Sequence, residues 1–133
     1  MEKNTPYLVI VEDNPDDSFW LKRELKKAGI GMCITLIADG KTAIDFFSEC
    51  DVFPIVLFLD MHLPGASGLE LLRYLKHNSM LEKMSVFVLD GSSLPKEIQE
   101  CEDLDVLGFL EKPVTVEDLS KLVLPQIAAE NKS

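Results

Sequence analysis

The stretch "IVLFLDMHLPGASGLELLRYLKH", residues 55–77, reads as one complete β–α unit. Ile55 to Leu59 is apolar at every position, where a half-buried antiparallel strand would alternate. Such a run suits a parallel strand covered on both faces. Asp60 ends it. Ser67 and Glu70 then have the spacing of a capping box, in which each residue's side chain satisfies the other's backbone N–H. Leu69, Leu72 and Leu75 follow at helical spacing and make one apolar stripe. A carboxylate at the end of a buried strand is the feature that calls for a reason.

The same pattern recurs on both sides of this unit. "YLVIVED" ends in Glu12 and Asp13, and "VFVLD" ends in Asp90. Strands are expected at Tyr7–Val11, Cys33–Ala38, Ile55–Leu59, Ser85–Leu89 and Val106–Leu110. Between them lies helix punctuation. Asn14 caps a first helix with Pro15 at its first position and Asp16 and Asp17 in its first turn. Leu21, Leu25 and Ala28 form its stripe, and Gly29 stops it. Asp39 or Gly40 opens a second helix, with Ala43, Ile44 and Phe47 facing inward. Ser93 before Pro95 starts a short fourth. Thr115 and Asp118 cap the last, over Leu119, Leu122 and Val123, and Pro125 should kink it or end it early.

Five β–α units without a linker or repeat predict an α/β fold: a doubly wound five-stranded parallel sheet with helices on both faces. Ligands of such sheets bind beyond the carboxyl ends of the strands, near the switch in strand order. Glu12, Asp13, Asp60 and Asp90 all fall there, as does Lys112 in "GFLEKP". The topology gathers scattered residues into one pocket.

Composition narrows what that pocket serves. The chain has 133 residues, 47% hydrophobic and 27% charged, as expected of one globular domain. Its 23 acids against 13 bases give a formal charge of −10, which repels phosphate backbones and anionic lipid. No nucleic-acid or membrane partner is therefore expected. No apolar run approaches a bilayer span of ~18 residues. "MEKNTPY" lacks a secretory h-region, so the expected location is cytoplasmic. Cys33, Cys50 and Cys101 have no paired spacing and read as buried reduced thiols.

Carboxylates clustered beside one lysine suit a hard divalent cation with oxygen ligands, above all magnesium. A cation so placed screens a phosphoryl group, and one aspartate is then the nucleophile that receives it. Other phosphate motifs fail. "GKT" at Gly40–Thr42 has Thr35 where a P-loop needs its first glycine. "GIG" at Gly29–Gly31 precedes a strand and has Ile34 where a dinucleotide fingerprint needs glycine. Asp60-Met61-His62 lacks the second aspartate of a haloacid-dehalogenase-type phosphatase, and His62 and His77 are too few for a histidine-rich metal site.

"VEDNPDD", "FLDMHLPGASGLELL" and "GFLEKPV", in this β–α order, resemble the receiver domain of bacterial response regulators from Tyr7 to about Ile127. The resemblance implies a flavodoxin-like fold and a single receiver domain over residues 1–133. It implies that Asp60 accepts a phosphoryl group from a histidine kinase or phosphotransfer protein. Asp13, Asp60 and the backbone carbonyl of His62 would hold magnesium, with Glu12 assisting through water and Lys112 contacting the phosphoryl group. Phe109 occupies the position of the aromatic switch residue. The output would be a contact with a downstream protein or onward phosphotransfer, since no output domain is expected after the last helix. The domain itself would be a monomer or weak homodimer and not an independent enzyme. "EDNPDD" is similar to the stand-alone receivers that accompany bacterial phytochromes.

One residue departs from the family pattern. The family expects Thr or Ser at the end of the fourth strand, where a hydroxyl donates to a phosphoryl oxygen, and the spacings to Asp60 and Lys112 put Asp90 there. An ionised Asp90 cannot donate. Two unit charges ~4 Å apart at an effective dielectric of ~20 repel by about 4 kcal/mol before screening. The alternative to a phosphorylated switch is therefore a pseudo-receiver, a binding module of the same fold that works without phosphate.

Overall fold

The computed structural model describes residues 5–90 and 95–131. Five parallel strands, β1 (Tyr7–Val11), β2 (Cys33–Ile37), β3 (Val56–Asp60), β4 (Ser85–Asp90) and β5 (Gly108–Glu111), form one sheet in the order β2-β1-β3-β4-β5. The chain leaves β1 for one edge and returns to β3 on its other side. The switch in strand order thus lies between the ends of β1 and β3.

Alternation along the strands divides the core in two. Leu8, Ile10, Phe58, Phe87 and Leu89 face α1 (Pro15–Lys27) and the last helix, meeting Leu21, Leu25, Leu119 and Val123. Val9, Val11, Leu57, Leu59, Val86 and Val88 face the opposite layer. That layer is α2 (Gly40–Ser48), α3 (Gly68–His77) and α4 (Pro95–Asp103), which contribute Phe47, Leu71, Leu72, Leu75 and Cys101. Every residue of β3 is buried, which is why residues 55–59 could not alternate. Each fully buried Phe or Leu removes enough apolar surface for about 1.5–3 kcal/mol.

The helix starts follow their capping chemistry. The Asn14 side chain accepts from Asp16 N at 2.8 Å and Asp17 N at 3.3 Å. Asp39 accepts from Thr42 N, and Ser67 and Glu70 form the reciprocal box. Thr115 Oγ1 accepts from Asp118 N at 3.1 Å. Gly29, at φ 81°, takes the left-handed turn that ends α1. The expected start at Ser93 lies outside the described residues.

Several expectations are corrected. The last helix, α5, runs over residues 116–131 and does not end early. It comprises Val116–Asp118, a π-helical stretch Leu119–Val123 and an α segment Leu124–Asn131. Pro125 has no N–H to give and its ring crowds a preceding carbonyl; it is the second residue after the widened π turn, which accommodates both defects. Leu122 is exposed, and the interior positions are Leu119, Val123 and Ile127. In α3, Leu71 is fully buried and Leu69 only partly, because the buried face of that helix spans adjacent positions. β5 begins at Gly108 instead of Val106, after a turn at Asp105 with φ 66°. Of the three thiols only Cys101 is buried. Cys50 is intermediate, and Cys33 is exposed at the start of β2, which is an edge strand among the described residues.

Close packing fixes the loop after β3. A Cβ on Gly68 would stand 2.5 Å from the Asp60 carbonyl oxygen and 2.7 Å from Met61 Cα, both backbone. Gly68 N also donates to Met61 O at 3.0 Å. Gly68→Ala should therefore cost about 1–3 kcal/mol in urea unfolding. An unchanged midpoint would show that the Asp60–Met61 backbone is free to move.

Candidate functional site

The site is assembled from strand ends. β1 delivers Glu12 and Asp13, β3 delivers Asp60, β4 delivers Asp90, and Lys112 follows β5. Carboxylate oxygens of Glu12, Asp13 and Asp60 lie within 4.8 Å of one another. Glu12 and Asp60 are buried, at 3% and 6% exposure, while Asp13 is open to solvent. Three acids so close repel unless a cation stands among them.

Lys112 supplies that cation. Its Nζ lies 2.7 Å from Glu12 Oε1, 3.1 Å from Asp17 Oδ2 and 3.6 Å from Asp60 Oδ2. Its backbone N–H donates to the Asp90 carbonyl at 3.0 Å, which continues the β4–β5 ladder and aims the residue at the crevice. Asp60 Oδ1 accepts from His62 N at 3.2 Å, and Glu12 Oε2 accepts from Asn14 N at 3.2 Å. Each buried carboxylate thus has one oxygen held by backbone and one turned toward Lys112. Burial pushes Glu12 up to about 7, with Asp60 adding to the rise and Lys112 opposing it. Burial pulls the Lys112 ammonium down, but Glu12, Asp17 and Asp60 outweigh it and hold the proton above its ordinary value.

The three oxygens suit a hard cation. All are carboxylate, two are buried, and Glu12 Oε1 is buried without a well-aligned hydrogen-bond donor despite its short contact with Lys112. A divalent ion of the magnesium type takes such oxygens and keeps several waters, which the exposed Asp13 side permits.

Asp90 and Phe109 lie on β4 and β5. Asp90 is half-buried at the end of β4 and is not one of the three converging acids. Its charge is felt instead at Cys101 on α4, where burial first, then Glu97, Glu100 and Asp90, push the thiol up to about 11. Phe109 is half-buried and packs on the α2–α4 side of the core. His62 is exposed.

One neighbour is not evident from the sequence: Asp17, in the first turn of α1, holds Lys112. Trp20 donates from Nε1 to Val114 O at 2.6 Å and lines a 220 Å³ hollow with Glu12, Asp17 and Lys112. The signal was helical spacing: Asp17 lies one turn before buried Leu21 and so sits on the sheet-facing side of α1.

The structure is a flavodoxin-like sheet with an acid cluster and one lysine at its carboxyl edge, beside the switch in strand order. Residues 8–124 match the family described as the response regulator receiver domain, and the chain belongs to that family. Receiver domains are the phosphoacceptor signalling modules of two-component systems. The chain is similar to the response regulator Rcp1 of Synechocystis sp. (strain ATCC 27184 / PCC 6803 / Kazusa), 30% identical over 92% of this chain and 87% of that one. It also resembles the solved bacteriophytochrome response regulator AtBRR, with TM-score 0.78 and 26% identity, covering 96% of this chain and 94% of that one. The receiver domain of a Pseudomonas aeruginosa PAO1 sensor histidine kinase, solved with magnesium coordinated in its active-site cleft, shares the fold at TM-score 0.76 and 21% identity, over 92% and 98%. Among the described residues, no helix is long and apolar enough to cross a membrane.

The raised Glu12 has a thermodynamic consequence. The folded protein binds the Glu12 proton more tightly than the unfolded chain, so its contribution to stability is complete below the usual 4.5 and is lost as pH rises to about 7. With chelator present, the melting temperature should therefore fall across that window, and Glu12→Gln should flatten the slope. An equal slope in both proteins would place the titration elsewhere.

Proposed function

We propose that the chain is a single-domain response regulator of a two-component or phosphorelay system, phosphorylated on Asp60. The observation that carries this reading is the placement of a buried Asp60 carboxylate 3.6 Å from Lys112, beside Glu12 and Asp13. An Asp60 oxygen forms a P–O bond to the phosphoryl group of a phosphohistidine as its P–N bond breaks, and the imidazole nitrogen takes up a proton. The donor is a sensor histidine kinase or a phosphotransfer protein.

Asp13, Asp60 and the His62 carbonyl are the residues that would hold magnesium, with Glu12 acting through water; the bound ion supplies charge screening for the transferring group. Lys112 meets a phosphoryl oxygen as a point charge. The His62 N–H keeps the Asp60 carboxylate oriented, which lowers the entropy cost of attack. The output is a changed protein-binding face formed by α4, β5 and α5, next to half-buried Phe109. A cytoplasmic site of action suits a partner kinase, and a role beside a phytochrome is supported by the likeness to bacteriophytochrome response regulators.

A second reading, the pseudo-receiver, is favoured by one observation: β4 ends in a carboxylate at Asp90, which cannot donate a hydrogen bond while ionised. The two readings separate by intact mass after treatment with a small phosphodonor and magnesium. The first expects the mass gain of one phosphoryl group, abolished by Asp60→Asn, while the second expects none. Asp90→Thr should raise the yield or the lifetime of the acyl phosphate. Equal yield and lifetime in both proteins would make the departure silent.

Magnesium binding is checked separately by Trp20 fluorescence, since the indole borders the site. Asp13→Asn should weaken it strongly, and unchanged affinity would remove Asp13 from the ligand set. At 100 times its dissociation constant, a ligand of the native state alone stabilises by about 2.7 kcal/mol.

A further inference from the structure

Lys112 has three carboxylate partners, and they differ in what each can do when the ammonium moves. Glu12 is 1% exposed at its side chain and Asp60 is 8% exposed, so neither can be rehydrated in place. Asp17 is 42% exposed and stands on the first turn of α1. It makes a 3.1 Å hydrogen bond to Nζ, shorter than the 3.6 Å approach to Asp60. At rest the ammonium is therefore held nearer to Glu12 and Asp17 than to Asp60. Of the three, Asp17 is the one at which water can readily take the place of the ammonium.

We propose that Asp17 is a positioning residue for Lys112, holding the ammonium off Asp60 at rest and releasing it when Asp60 is phosphorylated. The inference rests on the reading of Asp60 as the phosphoacceptor. With acetyl phosphate as donor, an Asp60 oxygen forms a P–O bond to phosphorus and the donor's P–O bond breaks, expelling acetate. One negative charge at Asp60 becomes two on the acyl phosphate. The pull on Lys112 from that side grows, while the pull of Asp17 is unchanged and weakened by solvent. Transfer thus includes moving Lys112 from Asp17 to the phosphoryl oxygens, and the strength of the Asp17 contact sets part of the barrier.

Removing the contact should speed phosphorylation. With acetyl phosphate and magnesium, Asp17→Asn should accumulate the phosphoryl mass roughly fivefold faster, the factor that a half-exposed ion pair can contribute. Asp16→Asn removes the same charge one residue away, from a side chain that does not pair with Lys112, and should change the rate by less than about twofold. Asp17→Glu should restore the slow rate, and in a Lys112→Gln background Asp17→Asn should have no effect. The side-chain 15N resonance of Lys112 in the unmodified protein should shift in Asp17→Asn and stay in Asp16→Asn. The proposal is overturned if Asp16→Asn and Asp17→Asn accelerate alike, or if the effect survives loss of Lys112, since either makes Asp17 a general source of negative potential. No mass gain on the parent protein would instead overturn the reading of Asp60 and this inference with it.

Discussion

One ammonium makes the site possible. Glu12, Asp13 and Asp60 converge on a small volume at the edge of a buried sheet, and Lys112 is the shared counter-charge of Glu12, Asp60 and the nearby Asp17. Two of these acids have almost no solvent, so their repulsion is poorly screened. Without Lys112 the ends of β1 and β3 would carry unpaired buried charge, which costs several kcal/mol. The arrangement is poised because the same ammonium is asked to satisfy three acceptors. Any new anion at Asp60 must draw on it.

The scaffold holds that tension with strands whose interiors are apolar. β1, β3 and β4 are covered on both faces, so their side chains are fixed by packing and only their ends meet water. Gly68 brings the start of α3 against the backbone of Asp60 and Met61, and the His62 N–H fixes one carboxylate oxygen. The loop after β3 is thereby tied at both ends. Such ties keep a reacting carboxylate in place, at the cost of crowding.

Contacts lead from the site toward α4. Met61, directly after Asp60, meets Cys101 of α4 through sulfur at 3.5 Å. Ion pairs from Arg73 to Glu100 and from Lys76 to Asp105 bind α3 to α4 and the turn after it. The Asp90 charge reaches the same helix. β4 itself ends in the half-buried carboxyl side chain of Asp90.

Much of this was legible in the chain alone. Uniformly apolar runs marked the buried strands, and Asn14, Asp39, Ser67 and Thr115 marked helix starts, because periodicity and capping act over a few residues. The acids and Lys112 could be assigned to one pocket because parallel topology puts all strand ends on one edge. What the sequence left open depends on contacts between distant segments. Asp17 and Lys112 are 95 positions apart, and they are paired by the packing of α1 against the segment that follows β5, where Trp20 bonds Val114. Cys33 is exposed at the start of β2, an edge strand among the described residues, and the late start of β5 follows from the turn at Asp105. The passage of α5 beyond Pro125 follows from a π turn that packing of Leu119 and Val123 supports. Short-range chemistry wrote the elements and their caps, whereas the sharing of one lysine among three acids arises only when the sheet order brings their strands together.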